Sequence, residues 1–349
     1  MTARIKDVAS LAKVSSATVS RVLTNKPYIR EEIRQRVLQA VGTLGYQPNR
    51  VARTLRVQSS QIIGLLISDI QNPFFTALVR AVEDQAYTHQ YAVFLCNSDE
   101  NPDKESLYID LMISERVAGI IIVPTRENAV SINKLHKAKI PLVVVDRQIH
   151  HLELDTVIID NFQAAHALVT HLIDNGHRRI GAILASPEIP TGFERYQGYV
   201  AAHNERGIQV DSSLVRTGLP KEYLGRQFVN ELFNLPLPPT AIFTGNNLLT
   251  VGALHGIKDM GLIIPRDLSL VAFDDMEWYS VISPTLTAVA QPTYEIGWTA
   301  ADLLLKRIDN LNKPIERIIY KPEIRIRESV KNINYDEGRS SLQNIYKKS

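Results

Sequence analysis

From Ile62 onward the chain consists of short apolar, β-branched runs separated by segments of helical periodicity, and few folds absorb that pattern. The runs are residues 62–67, 92–96, 119–123, 142–145, 156–159, 180–184, 241–243 and 269–273. Strands that are apolar on both faces must be covered on both, and helices between successive strands make parallel pairing the natural solution. Their number predicts two doubly wound parallel α/β lobes rather than one. Residues 286–324, with a long helix from Tyr294 to about Ile308 and an apolar run at 317–320, are expected to cross back between the lobes. A TIM barrel is the competing arrangement, but it leaves the helical segment in front of Ile62 without a role.

In open parallel sheets, ligands collect beyond the carboxyl ends of the strands. The residues there are Ser68-Asp69, Asn97-Ser98, Asp146-Arg147, Asp160-Asn161, Ser186, Asn246-Asn247 and Asp274-Asp275. Any loop end is polar, so one such residue says little. Together, carboxylates, amides and a guanidinium converging on a cleft suit a polyhydroxylated ligand, because each hydroxyl both donates and accepts.

The first fifty residues are different. Ile5, Val8, Ala9, Leu11 and Ala12 recur at helical spacing, Val14-Ser15 interrupts, and Ser15 or Ser16 can cap a second helix through Val19, Val22 and Leu23. Residues 30–45 predict a third helix, with Ile33, Val37, Leu38, Val41 and Leu44 on one face and Gly45 as its stop. Two short helices around a tight break form either a helix-turn-helix or an ordinary helical hairpin. Charge favours the former. Residues 1–58 carry 11 Lys or Arg against 3 Asp or Glu, a net of 11 − 3 = +8, so the remainder sums to 2 − 8 = −6. A small basic head on a mildly acidic body is the footprint of a nucleic-acid binder.

Here a specific resemblance enters. D-V-A at residues 7–9, V-S-x-x-T-V-S-R at 14–21, G-Y-x-P-N at 45–49 and V-A-R-x-L at 51–55 resemble the DNA-binding head of the lactose/galactose repressor family of bacterial transcription factors. The likeness extends to about residue 330 and implies an all-α helix-turn-helix head followed by a two-lobed body of the type I periplasmic sugar-binding fold. The expected division is a head at 1–57 with a hinge helix at 49–56, a linker at 58–61, an effector-binding and dimerisation domain at 62–330, and a disordered tail at 331–349.

The resemblance also implies roles for residues. Ser16, Ala17, Ser20 and Arg21 face base edges in the major groove, with Arg21 suited to a bidentate contact with guanine. Asn25, with Arg4, Lys6, Arg30 and Arg34, is expected to touch phosphates. Leu55 is expected to wedge between base steps in the minor groove while Arg50 and Arg56 hold phosphates or groove edges. In the body, Phe74 and Phe75 of Asn72-Pro-Phe-Phe75, Arg195, Asn246 and Asp274 match the family's effector positions, and the strand-end residues Asp146, Arg147 and Asp160 are expected to join them. Two positions depart from the family: Asn247 stands where many members have Asp, and Leu219 or Pro220 where others place a stacking aromatic.

An enzyme is disfavoured. No G-x-G-x-x-G follows the first strand, and there is no G-x-x-x-x-G-K-[ST], G-x-S-x-G or H-E-x-x-H. Asp274 and Asp275 are adjacent at a strand end and should point apart, and His177 is expected at a helix-to-strand turn. Cys96 is the single cysteine, so neither an internal disulfide nor a Cys-based zinc site can form. No cofactor or metal is expected. No apolar run reaches membrane-span length and the first residues lack a signal peptide's hydrophobic region, so a cytoplasmic, nucleoid-associated protein without membrane partners is expected. The expected partners are double-stranded operator DNA, a sugar or related metabolite, and a second copy of the chain, since a pseudo-palindrome offers two half-sites.

Overall fold

The computed structural model describes residues 3–23, 27–46, 60–127 and 130–334. The chain divides between Ser60 and Gln61 into two units.

The first unit contains α1 (Ile5–Leu11), α2 (Ser16–Leu23) and α3 (Glu31–Leu44). Asp7 accepts the Arg4 amide at 2.7 Å, which satisfies an otherwise orphaned donor at the start of α1. Lys13 ends the helix at φ +52°, and the Val14 amide turns back to the Ala9 carbonyl at 3.0 Å. Of the two serines able to cap α2, it is Ser15 that accepts the Thr18 amide, at 3.1 Å. Val8, Ala9, Ala12, Val19, Val22, Val37 and Ala40 form the core. The apolar face expected of α3 is only partly right: Val37 is buried, whereas Leu38 and Leu44 are exposed, as is Leu11 in α1. Three helices this short have too little interior for every leucine, and the smaller Ala40 takes the central place. Gly45 terminates α3 at φ +56°.

The second unit holds two six-stranded sheets. Lobe 1 has the order β11-β5-β4-β3-β1-β2 and lobe 2 the order β12-β10-β9-β8-β6-β7. In chain order the strands are β1 (Ile62–Ile67), β2 (Ala92–Asn97), β3 (Gly119–Ile122), β4 (Leu142–Val145), β5 (Asp155–Ile159), β6 (Ile180–Ala185), β7 (Val215–Gly218), β8 (Ala241–Thr244), β9 (Ser269–Phe273), β10 (Thr287–Ala290), β11 (Arg317–Tyr320) and β12 (Glu323–Arg325). All neighbours pair in parallel except β10 with β12. The expected pair of doubly wound lobes is therefore found, with β7, β10, β11 and β12 added to the eight strands read from sequence, β10 and β11 from the segment expected to cross between the lobes.

The helices are α4 (Pro73–Thr88), α5 (Pro102–Ser114), α6 (Val130–Lys137), α7 (Asn161–Asp174), α8 (Pro190–Glu205), α9 (Glu222–Phe233), α10 (Asn247–Asp259) and α11 (Thr293–Asp309). Asn72 and Asn101 cap α4 and α5, each followed by a proline whose missing N–H costs nothing in the first turn. The chain crosses between the lobes at Asp160, at Gln291-Pro292 and at Lys321-Pro322. Helix α7 thus packs on lobe 2 and α11 on lobe 1. In lobe 2, α9 and α10 meet at Gly252, where a Cβ would lie 1.9 Å from the Glu222 carbonyl oxygen.

Residues 331–334 correct the expected disordered tail. The Lys331 amide donates to Ser269 Oγ at 2.9 Å, the Lys331 carbonyl meets His177 Nε2 at 3.1 Å, and the Ile333 amide donates to the Asn175 carbonyl at 2.9 Å. The rest of that tail, residues 335–349, lies outside the described residues, as do the expected hinge helix at 49–56 and residues 58–59 of the linker. Among the described residues no helix is long and apolar enough to cross a membrane. Nor is any group of three or more His, Cys, Asp and Glu side chains placed to hold a metal ion.

Candidate functional sites

In the first unit, α2 buries Val19 and Val22 and presents a polar opposite face. Ala17 and Arg21, one turn apart, are exposed, and Ser16 and Ser20 are half-buried beside them. Of the expected phosphate contacts, Arg4, Lys6 and Arg30 are exposed, while half-buried Arg34 lies 3.6 Å from Glu31. Asn25, Arg50, Leu55 and Arg56 lie outside the described residues.

In the second unit, the carboxyl ends of the two sheets face each other across a narrow cavity of about 30 Å³. Its lining includes Phe74, Phe75, Asp146, Arg147, Arg195, Asn246 and Asp274, seven of the eight side chains expected there. Asp160 is the correction. It stands at the first crossover, where its carboxylate caps α7 by accepting the Gln163 amide at 2.9 Å, and it does not line the cavity. Aspartate at the end of a strand and the start of a helix serves as a cap as readily as a ligand contact.

Each lining group has a local cause. The Asn72 side-chain Oδ1 accepts the Phe74 backbone amide at 2.9 Å, which starts α4 and turns Phe74 and Phe75 inward, where their rings meet edge to face at 5.0 Å. Asp146 ends β4 and Asp274 ends β9, both in the left-handed region at φ +69° and +71°. Asp274 accepts from the Gln291 amide and, at 3.3 Å, from the Asn247 backbone N–H. Asp275 points away to Arg325 at 2.9 Å and Arg327 at 2.7 Å, so the two aspartates do diverge. Asn246 caps α10 by accepting the Leu249 amide at 2.9 Å.

The two cleft arginines do different work. Arg147 forms a two-pronged pair with Glu100 at 2.8 and 2.5 Å, both side chains buried. Burial opposes the Arg147 charge, but Glu100, with Asp146 and Glu105, more than offsets it, so its pKa is raised. Arg195 donates through Nε to Asn161 at 3.0 Å and through Nη1 to the Gly245 carbonyl, with its guanidinium carbon 3.6 Å from the centroid of the Phe273 ring. Burial lowers its pKa while Asp274 and Asp146 resist the change. Asp146 is pushed up to about 6, chiefly by burial, with Arg147 and Arg195 pulling it down.

Several lining residues were not singled out from the sequence. Glu100 lies three residues past β2, and Gln291 follows β10, a stretch read only as a crossing segment. Ile189 and Thr191 complete the lobe 2 wall. Of the loop after β7, Pro220 reaches the cavity, whereas Leu219 and Tyr223 are exposed, so that loop offers no aromatic platform. The departure at Asn247 has a consequence: its amide donates across the lobes to Asn72 Oδ1 at 2.8 Å, which an aspartate could not do.

Comparison with known proteins gives one answer for both units of the chain. Residues 4–49 match the family model described as bacterial regulatory proteins of the lacI family, and residues 60–331 match that of periplasmic binding proteins and the sugar-binding domain of the LacI family. The chain is 37% identical over 342 residues to a probable HTH-type transcriptional regulator, EndR, of Paenibacillus polymyxa, covering 96% of this chain and 100% of the relative. It is 32% identical to the HTH-type transcriptional repressor PurR of Mannheimia succiniciproducens, covering 95% and 99%. Among solved structures, a LacI family regulator from Enterococcus faecium with bound ribose has a TM-score of 0.71 at 29% identity, covering 78% of this chain and 99% of that one. The transcriptional regulator CelR–cellobiose complex gives 0.71 at 26%, covering 94% and 99%. The lac repressor dimer bound to operator and the anti-inducer ONPF shares the fold at a TM-score of 0.82 and 24% identity, covering 95% and 100%.

Proposed function

The chain belongs to the LacI family of bacterial transcriptional regulators, as a DNA-binding repressor with an effector-binding domain and not an enzyme, and from that premise we propose that it acts as a cytoplasmic, nucleoid-associated homodimer whose grip on a pseudo-palindromic operator is set by an uncharged monosaccharide. The carrying observation is the pairing of Asp146 and Asp274 at the matching strand ends of the two lobes, with Arg195, Asn246 and Gln291 beside them and the Phe74–Phe75 wall opposite. Carboxylates on both walls accept from hydroxyls, amides and a guanidinium donate to them, and aromatic rings cover the C–H face of a sugar. Arg147 positions this lining rather than presenting a free cation, because its charge is spent on Glu100. An anionic ligand would meet Asp146 and Asp274 without enough positive charge to offset them. The ribose held by the Enterococcus faecium relative supports a ligand of this class.

At the other end, Ser16, Ala17, Ser20 and Arg21 read the major groove, and Asn25, Arg50 and Arg56 hold the backbone. Leu55 wedges into the minor groove when residues 49–56 of two copies pair. Effector-driven movement of the lobes changes that pairing, with a coupling free energy of typically ~1–3 kcal/mol. A dimer clamped on a promoter blocks polymerase, which makes repression the direct outcome. Titration calorimetry of the full chain with D-ribose, other monosaccharides and their phosphates tests the ligand class. Binding of sugar phosphates in preference to the free sugars would refute it. Leu55→Ala should weaken operator binding in a gel-shift while leaving sugar binding intact, and unchanged operator affinity would remove the wedge.

A further inference from the structure

One side chain crosses the mouth of the cleft. Lys221 leads from β7 into α9 on lobe 2, and its ammonium donates to Asp69 Oδ2 at 2.8 Å and Asp99 Oδ1 at 2.7 Å on lobe 1. Asp69 lines the cavity, and so does Pro220, the neighbour of Lys221. The ion pair therefore sits on the rim of the site. Asp69 is 3% exposed, a carboxylate that depends on its cation. Burial works against the charge on Lys221, but the two carboxylates more than offset it and raise its pKa. Arg126 reaches Glu188 across the lobes at 3.2 Å, and Asn247 reaches Asn72 at 2.8 Å. Lys221 is the contact among these three that spans two acidic side chains.

We propose that Lys221 is a specificity-determining strap, which holds the cleft mouth shut over the effector and limits that effector to one sugar ring. The limit on size rests on the assignment of a sugar to the cleft. A second ring leaving the cavity past Pro220 would have to displace the ammonium and strand Asp69 in a poorly hydrated place. That penalty falls on a disaccharide and not on a monosaccharide, so the rim discriminates by what it would leave unpaired. A lysine suits such a strap because its flexible stem lets the head swing without moving the backbone. Lys104, 3.8 Å from the other oxygen of Asp99, gives that carboxylate a partner when the strap swings away.

The test compares the native full chain with Lys221→Met and with the charge swap Lys221→Glu/Asp99→Lys. D-ribose and cellobiose serve as calorimetric probes, and dyes on the two lobes report their separation without sugar by energy transfer. Lys221→Met should bind D-ribose roughly tenfold more weakly, accept cellobiose that the native chain excludes, and show a longer lobe-to-lobe distance. The swap should recover part of the ribose affinity and of the distance, which a merely misfolded variant would not. Unchanged ribose affinity and distance in Lys221→Met overturn the strap, and native binding of cellobiose as tight as that of Lys221→Met overturns the size limit. If the native chain binds neither sugar, nor any other monosaccharide in the calorimetric series, the ligand assignment and the size limit built on it fall, and the distance measurement still decides the strap: lengthening supports it, no change refutes it.

Discussion

The two lobes repeat one strand order but hold their sites with different chemistry. Asp146 in lobe 1 and Asp274 in lobe 2 end corresponding strands with nearly the same backbone, φ +69° and +71°. The residues that follow diverge: Arg147 turns inward to a buried Glu100, whereas Asp275 turns outward to Arg325 and Arg327. The first residues of β5 and β10 differ in the same sense. Asp155 is held by Arg307 at 2.8 and 2.9 Å, both buried, while Thr287 relies on neutral hydrogen bonds, its amide to Ser329 Oγ and its hydroxyl from the Arg327 amide, each 2.9 Å. The fold supplies position in duplicate, and the charge placed on it is local. Lobe 1 should therefore be the more sensitive to loss of a charge.

The largest effect is expected at Arg307. Its replacement by Met leaves Asp155 buried without a cation and should cost about 3–5 kcal/mol, against about 1–2 kcal/mol for Ser329→Ala in lobe 2. Urea unfolding of both variants measures this, and equal costs would break the proposed asymmetry. Next comes Asp146. Because its folded pKa is raised from 3.8 to about 6, its contribution is fully present below the unfolded value and is lost as pH rises through about 6. The stability of the native chain relative to Asp146→Asn should fall by up to about 3 kcal/mol between pH 4 and pH 7. A difference that is flat with pH would show that Asp146 is hydrated in the folded chain.

Packing reverses the ranking of the lobes. A Cβ at Gly252 would lie 1.9 Å from the Glu222 carbonyl, but at Gly297 in lobe 1 it would lie 2.6 Å from that of Leu78. Gly252→Ala should lower stability by about 1–3 kcal/mol, and Gly297→Ala by less. Matched thermal melts would sharpen or erase that contrast. The smallest change is expected from Arg325→Ala, about 0–1 kcal/mol, because Arg325 is half-exposed and Arg327 still neutralises Asp275.

Much of the cleft lining is legible because parallel α/β folds gather polar residues beyond their strand ends. Runs such as Leu142–Val145 and Ser269–Phe273 located the strands, and the residue after each named Asp146 and Asp274. The same rule places Asp160 in the cleft lining, where it is not found, since sequence does not distinguish a helix cap at a crossover from a lining residue. It passed over Gln291 because β10 is only four residues long and reads as part of a connection. Glu100 was hidden for another reason: its place in the cleft depends on Arg147, 47 residues away, which no local pattern encodes. In the head, periodicity alone overstated burial at Leu38 and Leu44, since a face can be apolar without enough partner surface to cover it.

The most direct measurement selects binding sites from random duplex DNA with the full chain, then titrates the winning duplex by fluorescence anisotropy with and without D-ribose and related sugars. The account predicts a two-fold symmetric sequence whose affinity shifts at least roughly fivefold with one sugar. Absence of any enriched sequence, or an affinity that no sugar alters, would contradict it.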